Sequence, residues 1–327
     1  MTYNVSSKSN PQYFGPSCGL KYLTNDPIFS DPLHELDSDI AKFRHGVATF
    51  PRTSRLRIGC IKALASALAQ RYILLRQVDD LEQSILHYTE AIFLPPHWDR
   101  HFPNITYDLL LTAQHLLLRA VHTEHPEDVE RPVIYLRYLC GQSLEAFNVP
   151  LDMVKEHLVC ALAQQVRLEL GDVMQDIEEM TTLILELLNS DTRTISTRAI
   201  TSFAEVIGTR HGRWTKGKAP PTKVIDCLRK AIIRQPDSDE LPITLACTLL
   251  DRFRIAYSND DYEEGTAVLD EFLLFHAPGV QSSQYQKALQ IIDYLRFCTG
   301  PIERVLEAGA FRGGDLPHSE LPPLDFS

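Results

Sequence analysis

The chain has 327 residues, of which 44% are hydrophobic and 23% charged, and these proportions exclude an intrinsically disordered protein. Its 43 acidic residues outnumber its 32 lysines and arginines, and the resulting net charge of -11 disfavours broad binding to nucleic acid or to an anionic membrane. Seven scattered cysteines without a C-x-x-C motif indicate neither a disulfide framework nor a zinc site, so we expect a reducing compartment.

The two ends of the chain differ in composition from its middle. Residues 1–33 contain four prolines beside serine, asparagine and glycine, which predicts an irregular N-terminal arm. This arm begins with a polar stretch, and no later segment approaches 18 unbroken apolar residues, so neither a secretory signal nor a membrane span is predicted. Residues 34–300 are predicted to form helical repeats, and residues 301–327 an irregular, proline-rich tail. We expect a cytoplasmic protein.

Residues 64–96 have the pattern of one helical hairpin. Leu64 and Leu68 belong to an apolar series with three- and four-residue steps, which places side chains on one helix face. The acidic pair Asp79 and Asp80 then suits the start of a second helix, where free N–H groups favour negative charge. A pair of prolines ends that helix. One hairpin cannot bury both of its apolar stripes, so neighbouring hairpins are predicted.

The hairpin pattern recurs along the chain. The apolar stripe and closing proline of the second helix align again after a shift of 45 residues towards the N-terminus and of 140 residues towards the C-terminus. Helix-turn anchors fall near residues 35, 80, 128, 176, 220 and 261. A period of roughly 41 to 48 residues, with two helices per unit, predicts an all-α fold, an α-solenoid of about five to six hairpins.

The second helix of these units has a small residue, a large apolar residue, an alanine and a proline at fixed spacing. These residues are Ser84, Tyr88, Ala91 and Pro96, and in looser form Val224, Leu228, Ala231 and Pro236. The pattern resembles that of the second helix of tetratricopeptide (TPR) repeats. Across residues 35–300 the long units are most similar to the repeat region of fungal TPR proteins that carry a CHAT (caspase-like) protease domain. The resemblance implies a right-handed TPR-like superhelix. No strand pattern follows His211 and Gly212, so the protease domain is not expected in this chain.

The sharpest local feature is a long loop between Ile207 and Lys223, in which no acidic residue occurs. Basic side chains surround a tryptophan there, and such a group could hold a phosphate, an RNA loop or an acidic peptide by charge and stacking. The alternative is a solvated surface loop without a ligand. The candidate partner-binding residues in this loop are Arg210, Arg213, Trp214, Lys216 and Lys218.

Motifs for catalysis and for metal binding are incomplete. Gly212, Gly217 and Lys218 have the spacing of a phosphate-binding loop, but Ala219 replaces the hydroxyl residue that should hold magnesium, and two prolines follow. Two pairs of histidines lack further ligands nearby. No nucleophile motif occurs. We therefore expect no catalytic residues, no metal and no cofactor.

The TPR resemblance implies that the first helix of each unit lines a concave face. The positions expected to face inward are mostly small or apolar, so this groove is either narrow and self-packed or accepts an apolar segment. The N-terminal arm and the tail are the candidate segments. The inward positions are Ala65, Ala69, Ile73, Ala113, Leu117, Val159, Ala163, Arg167, Ala246, Leu250 and Arg254, and the two arginines are added to the candidate partner-binding residues.

The predicted function is a non-catalytic protein-interaction module or scaffold that binds a protein or peptide partner through its helical-repeat surface. The alternative is an enzyme or small-ligand-binding protein that uses a pocket enclosed by the superhelix and its tails. Nucleic-acid binding would be confined to the basic loop at residues 210–223 and would be sensitive to salt. Self-association is compatible with either function.

Overall fold

In a computed structural model, all the regular elements of the described residues are helices, with no strand among them. The structure describes residues 32–52, 54–93, 105–123, 125–142, 150–190, 195–209, 220–256, 258–275 and 285–292. The helices are α1 (Pro32–Thr49), α2 (Arg55–Leu75), α3 (Val78–Phe93), α4 (Ile105–Thr123), α5 (Glu127–Cys140), α6 (Leu151–Arg167), α7 (Val173–Asn189), α8 (Thr197–Thr209), α9 (Thr222–Arg234), α10 (Glu240–Ala256), α11 (Asn259–Phe275) and α12 (285–292). The all-α prediction is confirmed. Helix α1 begins two residues before the end of the arm predicted at residues 1–33, and the rest of that arm and the predicted tail at residues 301–327 lie outside the described residues.

The chain divides into two compact units. The first unit contains α1 to α4 and the beginning of α5, and the second contains the end of α5 and α6 to α12. In the first unit α2 packs against α1 and α3, and α3 also packs against α4. Its core includes Leu64 and Leu68 beside Ile40, and Tyr72 beside Ile85. Leu64 and Leu68 belong to the predicted apolar series, and the helical hairpin expected at residues 64–96 is confirmed as far as Phe93, beyond which its predicted end lies outside the described residues.

The second unit is built from the same kind of neighbouring helices. Helix α6 packs against α7 and α8, α7 also packs against α9, and α10 packs against α8, α9 and α11. Leu250 from α10, Leu269 and Phe272 from α11, and Ile291 from α12 share one core cluster. Burial of these apolar side chains, rather than helix propensity alone, stabilises the helices.

A charged clamp joins the two helices of three hairpins. An arginine in the last turns of the first helix forms a bidentate ion pair with an aspartate in the first turn of the second, and that aspartate is buried. The pairs are Arg71–Asp80, Arg119–Asp128 and Arg252–Asp261, with Nε–Oδ2 distances of 2.8, 2.8 and 2.7 Å. Two parallel hydrogen bonds to a carboxylate fix the geometry of each turn, and the aspartate also suits the helix N-terminus.

Helix α2 passes a test for membrane spans by length and composition, with a mean hydropathy of 1.3 over an 18-residue window. This helix contains no long unbroken apolar run, because polar residues are interspersed in it. Core helices of water-soluble proteins pass the same test. Seven residues of α2 are buried, among them Ile61 and Leu68, and its apolar composition is therefore explained by packing against α1 and α3.

Candidate binding cleft

The structure places two of the predicted partner-binding residues in intramolecular pairs. In the second unit, Arg167 forms an ion pair with Glu205, and burial lowers the pKa of its guanidinium. Arg254 lies 3.6 Å from Asp251, and its Nε is buried without a hydrogen-bond partner among the described residues. The structure does not bring these two arginines to one ligand site. The five candidates from Arg210 to Lys218 lie outside the described residues.

Most of the positions expected to line a groove are packed between helices instead. Eight of them are buried, which agrees with the self-packed alternative at those positions. They are Ala65, Ala69, Ala113, Leu117, Val159, Ala163, Ala246 and Leu250. In the first unit, however, Ala69 and Ile73 also line an open cleft.

This cleft lies between α2 and α4 and has a volume of about 300 Å³. Lys62, Ser66, Gln70 and Ile73 of α2 line it, and they follow one another at three- and four-residue steps along one face of that helix. Helix α4 contributes the opposite wall with the same periodicity. Its lining residues include Tyr107, Asp108, Leu111, Gln114, His115 and Leu118.

Side-chain contacts join α2 to α4 at both ends of the cleft. At one end, Lys62 Nζ lies 2.5 Å from Asp108 Oδ2, and the Asp108 side chain is only 5% exposed. Burial raises the pKa of Asp108, although Lys62 opposes this change. Beyond the other end, the Tyr72 hydroxyl is hydrogen-bonded to His122 Nε2. These two contacts therefore join α2 to α4, and in the ion pair the charges of Lys62 and Asp108 offset each other.

The floor of the cleft contains a buried imidazole whose tautomer can be assigned. Ser84 Oγ donates a hydrogen bond to the carbonyl oxygen of Ala65 at 2.8 Å and lies 3.3 Å from His115 Nδ1. Because the serine hydroxyl has only one proton, His115 Nδ1 must be the donor to Ser84 Oγ. Burial lowers the pKa of His115 to about 4, so the ring is neutral at pH 7. Nε2 is then a hydrogen-bond acceptor.

The groups in and around the cleft are not arranged for covalent catalysis. Ser84 donates its proton to a backbone carbonyl, so its oxygen is not activated by a base. Elsewhere, burial raises the pKa of Cys140 to about 11 and the pKa of Cys227 and Cys247 to about 12, which keeps these thiols protonated. Within the described ranges no group of three histidine, cysteine or acidic side chains could hold a metal ion.

Sequence reasoning did not identify this cleft. Asp108, Gln114 and His115 are visible in the sequence as polar interruptions of the apolar run at residues 107–121, and that was the available signal. Lys62 has no such signal, because its partner lies 46 positions away. No protein-family model matches the chain, and no curated protein matches it in sequence.

Proposed function

We propose that the chain is a non-catalytic protein-interaction module, a TPR-like α-solenoid that binds an extended peptide segment of a protein partner. The observation that carries this proposal is the open cleft between α2 and α4. The recurring hairpins and the TPR-like second helices support the solenoid arrangement. A cytoplasmic location remains part of the proposal.

The dimensions of the cleft suit a short stretch of extended chain. From Lys62 to Ile73 the lined face of α2 is about 16 Å long at a rise of 1.5 Å per residue. An extended segment of about five residues spans that length. The lining combines polar groups, such as Ser66 and Gln70, with apolar ones, such as Leu111 and Leu118, which suits a peptide with a polar backbone and apolar side chains.

A second candidate function is binding of a small molecule in the same cleft, as an enzyme or a ligand-binding protein. The observation in its favour is that His115 lines the cleft and is hydrogen-bonded to the buried Ser84 behind it. The volume of about 300 Å³ is at the lower limit of drug-sized ligand pockets. The predicted second contact through Arg210, Trp214 and their neighbours stays a prediction under both functions.

Selection of peptides against the full chain tests the proposal. Peptides from a random phage-displayed library are selected on the immobilised protein, and their Kd is measured by fluorescence anisotropy. The half-buried Ser66 is changed to arginine to block the cleft, and the matched control Leu86→Arg places the same charge on an exposed position of α3 outside it. We expect Ser66→Arg to weaken binding at least about tenfold and Leu86→Arg to leave it unchanged.

The contrary outcomes separate the candidate functions. If selected peptides bind Ser66→Arg as tightly as the unchanged protein, the cleft is not the peptide site. If no peptide is selected and native mass spectrometry finds a small molecule that is lost in Ser66→Arg, the small-ligand function replaces the peptide function.

A further inference from the structure

We propose that the segment bound between α2 and α4 is uncharged and extended, and that one of its backbone N–H groups donates a hydrogen bond to His115 Nε2. This inference rests on the proposed function and adds the chemistry of the partner. It identifies a recognition residue that the sequence motifs do not indicate.

The acceptor follows from the hydrogen bonds on the cleft floor. His115 Nδ1 is committed to Ser84 Oγ, because the serine proton is already donated to the Ala65 carbonyl. Nε2 has no hydrogen-bond partner among the residues that the structure describes, and the residue is 8% exposed and lines the cleft. A ligand in the cleft that covers Nε2 without supplying a donor would leave this acceptor unpaired in the complex, which costs binding free energy, so the site favours a ligand with a donor at that point.

The aromatic packing around His115 keeps this acceptor in place. The rings of Tyr88 and His115 lie with their centroids 5.4 Å apart, and Tyr88 is itself buried. A ring held by a hydrogen bond on Nδ1 and by a neighbouring aromatic face has little freedom to turn. The acceptor is therefore preorganised before the ligand binds, which favours recognition of one donor at one position.

The charges of the cleft exclude a charged segment. Among the described lining residues, Lys62 and Asp108 are the ionisable ones besides the tyrosines and His115, and they pair with each other. Burial lowers the pKa of His115 to about 4, so the imidazole adds no positive charge at pH 7. A lysine or glutamate of the ligand would lose its hydration without gaining a counter-ion. Ile73 and Leu118 provide apolar surface for an aliphatic side chain.

The proposed donor to His115 is a backbone N–H group of a peptide rather than an N–H group of another kind of ligand. The side-chain amides of Gln70 and Gln114 also line the cleft, and each can both donate and accept. An extended backbone presents N–H and C=O groups along its length at the spacing of such a lined face. Side-chain specificity is then left to the apolar contacts.

An N-methyl scan of synthetic peptides tests the backbone contact. The probes are capped six-residue peptides of alanine, leucine, threonine and glutamine, taken from selected sequences, each with one backbone nitrogen methylated in turn. We expect methylation at one position to weaken binding to the full chain about tenfold, because it removes one donor. In His115→Phe, which keeps an aromatic ring, the same methylation should weaken binding less than about twofold. The matched control His157→Phe changes an equally neutral, buried histidine of the second unit and should keep the tenfold effect.

Several results would overturn the inference without overturning peptide binding. One is an N-methyl effect that is the same in His115→Phe and in the unchanged protein. Another is selection of peptides that have a lysine or glutamate at the central position and that bind the Ser66→Arg variant more weakly than the unchanged protein, because such peptides would be charged ligands of the cleft. Nitrogen-15 NMR of histidine-labelled protein gives a test that needs no variant to fold. The inference is wrong if His115 has its proton on Nε2, or if the Nε2 resonance does not shift when the peptide binds.

Discussion

The hairpins α4/α5 and α6/α7 contain an arginine and an aspartate at the same nine-residue spacing, yet the two hairpins pair them differently. In α4/α5, Arg119 Nη2 lies 2.5 Å from Asp128 Oδ1. In α6/α7, Arg167 pairs with Glu205 instead, and Asp176 Oδ1 accepts a hydrogen bond from Arg137 at 3.1 Å. The residues are equivalent in sequence, so the difference lies in the backbone that presents them.

The first helix ends one turn earlier in the second of these hairpins. Helix α4 continues four residues past Arg119 to Thr123, whereas α6 ends at Arg167 itself. Beyond it, Glu169 has a φ of 56° and Gly171 a φ of 74°, so the chain leaves the helical path. Asp176 Oδ2 is buried without a hydrogen-bond partner among the described residues. The clamp therefore depends on the length of the first helix as well as on its two residues.

The largest expected effect comes from removing the arginine of a complete clamp. Arg119→Gln leaves the buried Asp128 charge without its cation and should lower the free energy of unfolding by about 3 kcal/mol. Arg167→Gln, at the equivalent position, breaks only a partly exposed pair with Glu205 and should cost less than about 1 kcal/mol. Urea unfolding followed by circular dichroism measures both. Equal losses would show that the two hairpins do not differ in their clamps.

An intermediate effect with a defined pH dependence is expected from Arg137→Gln. Burial already raises the pKa of Asp176, and loss of Arg137 removes the main group that lowers it. With a raised folded-state pKa, the folded protein binds a proton more readily than the unfolded chain does. Arg137→Gln should therefore lower the free energy of unfolding by about 2 kcal/mol at pH 7, and this decrease should become smaller towards pH 5.

The control for this pH dependence is Arg229→Gln in the same unit. Arg229 also joins neighbouring second helices, through Glu264, but its partners are more exposed than Asp176. In urea titrations, Arg229→Gln should lower the free energy of unfolding by less than Arg137→Gln does, and this decrease should be the same at pH 7 and at pH 5. A loss in Arg137→Gln that is identical at both pH values would mean that Asp176 does not take up the proton.

The smallest effects are expected from replacing either of two glycines by alanine. At Gly171 an added Cβ would lie 2.7 Å from Gln165 Nε2, and its positive φ strains any other residue, so Gly171→Ala should cost roughly 1 to 2 kcal/mol. At the exposed Gly59 in α2 an added Cβ meets no atom within 4 Å, and Gly59→Ala should stabilise the protein by about 1 kcal/mol. The shift in melting temperature should have opposite signs. A neutral Gly171→Ala would indicate that the early end of α6 does not depend on this glycine.

The hairpins could be predicted from the sequence because each one repeats local signals. Apolar steps such as Leu64 to Leu68, and an acidic start such as Asp79 and Asp80, act within a few residues. The clamp could also have been found, since an arginine followed nine residues later by an aspartate occurs four times in the chain. The exchanged pairing of Arg167 could not, because it depends on where α6 ends.

The cleft was harder to predict than the helices around it. The Lys62–Asp108 pair joins residues of two hairpins, and the tautomer of His115 depends on a carbonyl of α2 and a hydroxyl of α3. A single sequence contains no local signal for such contacts. The basic loop from Arg210 to Lys218 is distinct in the sequence because its composition differs from the rest, whereas the cleft residues have the composition of ordinary helix residues.

The fixed spacing of the clamp defines a unit of chain that can be copied. Arg71, Arg119 and Arg167 follow one another at intervals of 48 residues, and the aspartate always comes nine positions later. The segment from residue 81 to residue 128 begins directly after the aspartate of one clamp and ends at the aspartate of the next, so it is one complete repeat. Duplicating it in the gene would add one arginine–aspartate pair at the correct spacing and interrupt none, whereas inserting one residue between Arg119 and Asp128 would separate a pair. Tandem duplication is therefore a route by which this chain can lengthen while its turns stay unchanged.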